Sequence, residues 1–224
     1  MISAETMTLV KYALPYLLKG LVTTLEVVVC AIALGMCIAI LITACRLMNI
    51  KPLSRIFSVY VSFIRGTPFL VQIYIIYYVI SSLVTNVNPF MTGVICLGFN
   101  SGAFLSELIR AGVTSIPIGH IEAAKALGMS DFQIMCRIIF PQVFDIIKPQ
   151  LITEFIADIK GTPMLSIVAL VELTRAGQLI IYRKHQPIPI YICMAIIYLI
   201  VNLLLEELVK FVEKKGKQKQ TMRG

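Results

Sequence analysis

The stretch PIPIYICMAIIYLIVNLLLEELVKF, residues 187–211, carries no charge before Glu206. Such a run dictates what the chain can become, because hydrocarbon about 30 Å thick is crossed by roughly 20 predominantly apolar residues in a helix. Comparable apolar runs precede it at about 20–45, 56–82, 91–113 and 146–171. Inside lipid each backbone amide must be paired within its own segment, so these runs predict helices. A β-barrel would show alternating polarity with turn signals about every ten residues, and no such pattern is present. Composition agrees. Of 224 residues, 58% are hydrophobic and 14% charged, and the mean hydropathy is +0.87, which leaves too little charge to coat a soluble domain. The expected class is all-α: an integral membrane protein with five transmembrane helices.

Lys and Arg set the expected orientation, since they collect on the cytoplasmic side of a membrane. With the N-terminus outside and the C-terminus inside, the inner loops hold Arg46, Lys51, Arg55, Arg110, Lys125, Arg137 and Lys148, and the tail adds Lys210, Lys214, Lys215, Lys217, Lys219 and Arg223. Only Lys11, Lys19, Arg175, Arg183 and Lys184 fall outside, while Arg65 and Lys160 remain at membrane depth. The net charge of +8 thus reads as topology and contact with anionic headgroups rather than nucleic-acid binding. The six cysteines contain no CxxC pair and read as small buried hydrophobes. His120 and His185 lie on opposite sides, so no metal site is expected, and the first 20 residues lack the pattern of a cleavable signal. Residues 1–19 are expected to form a short outer segment. Residues 216–224 read as a loose basic cytoplasmic tail, after a single transmembrane domain spanning 1–215.

The longest polar excursion, within 114–142, should face the cytoplasm. IEAAKAL favours helix, Gly128 is a natural stop, and Ser130 with Gln133 fits a capping box opening a second helix that Pro141 should close. Two short helices meeting at a glycine hinge would form a compact knob.

Two stretches repeat a pattern at membrane depth: RGTPF at 65–69 and KGTPM at 160–164. Each sets a cation beside Gly-Thr-Pro. Arg65 should lie roughly 15 Å deep at 1.5 Å per residue, and a charge there normally faces a cavity, a partner or a pathway. Proline removes a donor and glycine adds freedom, so Arg65, Gly66, Thr67, Pro68 and Gly161, Thr162, Pro163, Met164 are expected to form broken segments bordering a central passage.

The run Glu122-Ala123-Ala124, three residues, Gly128, nine residues, Ile138, one residue, Phe140-Pro141 resembles the EAA signature of ABC importer permeases, with Phe140 where the family usually has Leu. FIRGTPFLVQ (63–72), FNSGAFLSELIRAGVTSI (99–116), EAAKALGMS (122–130) and VELTRAGQLI (171–180) resemble the polar amino acid uptake branch, over about residues 17–215. The family usually has Gly-Gln where this chain has Gly119-His120, and Lys-Asn/Asp-Thr-Ser-Leu where it has Lys160-Gly-Thr-Pro-Met. The resemblance implies a permease in a prokaryotic cell membrane. It would pair with a second permease subunit, either a copy or a close relative. Two ATPase subunits would dock on a coupling helix between helices 3 and 4, through Glu122, Ala123, Ala124, Leu127 and Gly128, and an extracellular binding protein would deliver the amino acid. The chain has no GxxxxGK[ST] sequence. ATP and Mg are therefore expected on the partner, and this chain is expected to be no enzyme and to carry no cofactor.

An amino acid brings a carboxylate and an ammonium. Lys160 is expected to receive the first. Glu154 and Asp158, four apart and on one helical face, would receive the second and any cationic side chain, with Asn100 and Ser101 adding hydrogen bonds. That favours arginine, lysine or histidine, with cystine or glutamine/glutamate as the alternative. An ion-coupled secondary transporter is a remoter reading, because such carriers usually show internal repeats. A membrane anchor without a path would leave the midmembrane charges without use. Glu107 and Arg110 are expected to form a local ion pair.

Overall fold

The computed structural model describes residues 4–48 and 50–221, with side chains described within 5–211. α1 runs Ala4–Leu47, 44 residues, or about 66 Å at 1.5 Å per residue. The separate outer segment expected over 1–19 is therefore not separate. Its buried positions Leu9, Ala13 and Leu17 continue, three or four residues apart, into Gly20, Thr24, Val27, Ala31, Gly35, Ala39 and Ile42, so one unbroken stripe holds the whole helix against its neighbours. Pro15 sits within it, exposed.

α4, Pro89–Thr114, is the helix α1 packs on most extensively. Asn88 caps it by accepting from the amides of Phe90 and Met91 at 2.9 and 3.2 Å. Gly98 and Gly102, one turn apart, bring its backbone against Gly35. A Cβ on Gly35 would meet the Gly102 nitrogen and the Gly98 oxygen at 3.1 Å. Small residues at such crossings let helices approach closely inside lipid.

The second apolar run is split into α2, Lys51–Gly66, and α3, Phe69–Leu83. The knob follows. α5 is Ile118–Ala126, Gly128 turns the chain at φ 76°, and Ser130 with Gln133 forms the expected capping box ahead of α6, Asp131–Ile134. The knob rests on Ile116, Ala124, Ile134, Ile139, Val143 and Ile147.

Pro141 does not close the second knob helix. A π turn, Met135–Ile139, leads straight into α7, Phe140–Gly161. The Phe140 amide reaches back five residues to the Met135 oxygen, and this wide turn gives the proline ring room that an α turn lacks. α7 ends in a 3₁₀ segment, Thr162–Val168. Residues 172–187, between the fourth and fifth apolar runs, contain α8, Leu173–Lys184. α9 spans Pro187–Thr221, so the tail expected to be loose from 216 is helical to Thr221, and 222–224 lie outside the described residues.

Among the described residues, three helices are long and apolar enough to cross a membrane: Glu5–Leu47, Pro89–Thr114 and Pro187–Phe211. A bent pair, Asp131–Val168 with Leu173–Lys184, meets at 52° and passes the same test together. The central core joins α1, α3, α4, α7 and the 3₁₀ segment through Val27, Ile73, Leu97, Ile159 and Leu165, and Tyr198, Val201 and Leu205 of α9 pack against it.

Candidate functional site: two broken spans held to one helix

Pro68 has no amide to give the Ile64 carbonyl four residues back, so a continuous helix would leave that oxygen bare in the core. The backbone leaves the helix instead: Thr67 (φ −120°, ψ 149°) and Pro68 (φ −61°, ψ 135°) are extended. Side chains then close the gap. The Thr67 hydroxyl donates to Phe63 O at 2.8 Å. The buried Gln72 amide donates to Ile64 O at 2.7 Å and to Thr67 O at 3.0 Å. Its own oxygen accepts from Asn100 of α4 at 2.8 Å.

The second break uses the same residues differently. Pro163 leaves Ile159 O without its usual donor, and Thr162 fills in with its hydroxyl at 2.8 Å and with its backbone amide, shared with Asp158 O. The backbone stays helical, with Thr162 at φ −57°, ψ −31°, and tightens to 3₁₀ until Ala169 ends it in the left-handed region at φ 61°. One turn earlier, Asp158 Oδ2 accepts from Ser101 Oγ of α4 at 2.7 Å, both side chains being buried.

Asn100 and Ser101 are consecutive, so one point on α4 holds both broken spans. The breaks also touch each other, since a Cβ on Gly161 would lie 3.8 Å from the Phe69 ring. This departs from the sequence expectation in one respect. Asn100 and Ser101 bind protein side chains, and Asp158 is buried against α4 rather than open beside Lys160.

Glu154 is half-buried, and its carboxylate makes no hydrogen bond or ion pair among the described residues. Lys160, Gly66, Pro68 and Met164 are exposed, while Thr67, Gly161 and Pro163 are half-buried. Arg65 is exposed as well, with its guanidinium 5.9 Å from the centroid of Phe104 on α4, within the range of a cation–π contact. Among the described residues neither Arg65 nor Lys160 has a carboxylate within 4.0 Å. Both cations of the repeated pattern are thus offered outward. Glu107 does pair with Arg110, at 2.7 Å, and also bonds Arg46 of α1. On the knob, Glu122, Ala123, Leu127 and Gly128 are exposed, whereas Ala124 is turned inward onto the supporting core.

Sequence reasoning missed two residues. Gln72 was one polar side chain in an apolar run, four residues past a proline, and that spacing is the signal for a side chain that can replace the lost amide. Glu172 is fully buried. It caps α8 by accepting from the amides of Thr174 and Arg175 at 2.9 and 2.6 Å, and it also accepts from the Tyr198 hydroxyl at 3.1 Å. Glutamate is not among the favoured N-cap residues, so its place in VELTRAG gave little warning.

The sequence matches the family described as binding-protein-dependent transport system inner membrane component over residues 35–218. It is 38% identical to the L-cystine transport system permease protein TcyB of Bacillus subtilis, over 90% of this chain and 86% of that one. It is 36% identical to a putative glutamine transport system permease protein, GlnP, of Rickettsia prowazekii, over 93% and 97%. It is 31% identical to the arginine transport system permease protein ArtQ of Bacillus subtilis, over 91% and 94%. Its fold superposes on an amino acid ABC transporter crystallised with histidines at a TM-score of 0.87 and 33% identity, covering 95% of this chain and 99% of that one. The MetNI methionine transporter shares the fold at a TM-score of 0.70 and 18% identity, over 96% and 98%. This chain therefore belongs to the family of binding-protein-dependent inner membrane transport components, as a permease subunit of an ABC amino acid importer that is not itself an enzyme.

Proposed function

We propose that the chain forms half of a translocation path for polar, preferentially cationic, L-amino acids, with the two broken spans along its wall. The observation that carries this is the pair of adjoining breaks, each presenting an exposed cation without a carboxylate partner among the described residues. Inside a membrane such cations need water, substrate or a partner subunit to face. Lys160 receives the substrate carboxylate. Glu154, on the same helix and without a hydrogen-bond partner, receives the ammonium or a cationic side chain. Arg65, Gly66, Thr67, Pro68 and Gly161, Thr162, Pro163, Met164 line or gate the passage, while Asp158, Asn100 and Ser101 hold its wall.

The remaining assembly follows the same reading. Five spans run N-out to C-in, counting α2 with α3 as one. A second permease subunit, two ATPase subunits docked on Glu122, Ala123, Leu127 and Gly128, and an extracellular binding protein complete an importer in a prokaryotic cell membrane. A second reading, transport of cystine or glutamine, is favoured by the names of the TcyB and GlnP relatives and by the engagement of Asp158 with Ser101.

The test is ATPase activity of the reconstituted complex with its binding protein, against arginine, lysine, histidine, cystine, glutamine and glutamate. Stimulation by the cationic amino acids should weaken in Glu154→Gln. Stimulation by cystine or glutamine that survives the substitution would assign the site to neutral substrates.

A further inference from the structure

Where α1 passes α8, Gly20 lets the backbones touch. A Cβ there would lie 2.9 Å from both the Ala176 Cβ and the Leu173 Cα. Beside this crossing a groove of about 390 Å³ opens between the two helices, reaching from Tyr12 to Thr23 on α1 and from Ala176 to Arg183 on α8. Its floor is apolar, with Leu179 and Ile180. Tyr12 and Tyr16 wall one side, their ring centroids 5.3 Å apart. Lys19 and Arg183 stand at the rim, both exposed, and neither has a carboxylate within 4.0 Å among the described residues. Nearby, Lys184 is engaged over the Tyr12 ring at 4.9 Å, and Glu5 belongs to an adjoining groove.

The level of the groove matters. Lys19 is the last cation before α1 runs from Gly20 to Cys45 with Glu26 as its only charge. Tyrosines and long cations gather where apolar helices meet the headgroups. Unpaired cations above an apolar floor match an amphiphile with an anionic head.

We propose that this groove seats one anionic phospholipid, its phosphate held by Lys19 and Arg183 and an acyl chain lying over Leu179 and Ile180. An acidic protein surface would satisfy the cations and leave the floor unfilled, and free inorganic phosphate would do the same. Only the lipid uses both parts of the groove.

The experiment is native mass spectrometry of the assembled transporter, purified with its ATPase and binding protein. Retained phosphatidylglycerol and phosphatidylcholine are counted per permease chain. One phosphatidylglycerol should be retained in preference to phosphatidylcholine, and millimolar inorganic phosphate should not displace it. Retention should fall about fivefold for Lys19→Gln or Arg183→Gln and about thirtyfold for both together. Leu179→Trp, which fills the floor and leaves the cations intact, should lower it too, and this variant carries the test if the double substitution does not assemble. Equal retention of both lipids, or retention unchanged in these variants, overturns the proposal. So does displacement by inorganic phosphate, which would make the groove an anion site alone. Weakened binding-protein affinity with unchanged lipid retention would assign the rim to a protein and overturn it likewise.

Discussion

The two cation-Gly-Thr-Pro breaks share four-residue patterns and do not share a structure. At the first, the residue before proline obeys the steric preference for extended backbone, and the helix stops. At the second, Thr162 occupies the helical region in spite of that preference, and the helix merely narrows. The difference lies in what is available to cover one carbonyl. Ile64 O is covered from outside its helix by Gln72, four residues past the proline and tied across to Asn100. Ile159 O is covered locally by the hydroxyl and backbone amide of Thr162 itself, fully buried in the core. The corresponding Thr67 hydroxyl is already used on Phe63 O. A motif of this kind therefore sets where a break falls, and its neighbours decide what shape the break takes.

That contrast can be broken most severely at Gln72. Gln72→Leu leaves the buried Ile64 O and the half-buried Asn100 amide without their partners, and at 1–3 kcal/mol for the buried group and less for the other this gives about 3 kcal/mol of lost stability. The purified complex should show a lower thermal midpoint and little transport, and an unchanged midpoint would mean that the first break needs no cover. Next comes Asp158→Leu, at about 2 kcal/mol. It releases the second break from α4, although Ser101 keeps its bond to Leu97 O at 2.9 Å, which limits the damage. Thr162→Val should cost about 1 kcal/mol by the same melting assay, more than Thr67→Val, whose hydroxyl lies where water can replace it. The reverse order would contradict the reading of Thr162 as the sole side-chain cover for Ile159 O. The smallest effect belongs to Phe104→Leu, about 0.5 kcal/mol from the cation–π contact with exposed Arg65. In this variant a spin label near Arg65 should gain mobility while the melting point hardly moves.

Much of this architecture was legible from residue order. The helical runs, both breaks, the capping box at Ser130 and the Glu107–Arg110 pair all follow from local rules of spacing and backbone chemistry. What was not legible depends on contacts distant in sequence. Helical spacing puts Asp158 on one face with Glu154, and spacing says nothing about its bond to Ser101 on another helix. Pro141 looked like a helix end because a proline usually is one, and nothing local announced the π turn that accommodates it. The start of α1 looked like a separate segment because Lys11, Pro15 and Lys19 interrupt it, yet its apolar stripe continues beneath them.

The length of α1 carries a geometric consequence. A rod of about 66 Å tilted by 40°, the upper end of what membrane helices adopt, still extends about 50 Å along the bilayer normal. The hydrocarbon takes about 30 Å of that and the headgroup layers on both sides bring the total to about 45 Å. No permitted inclination hides the helix within the bilayer. Part of it, away from the headgroup-level crossing with α8 at Gly20, is a mast standing in the aqueous phase.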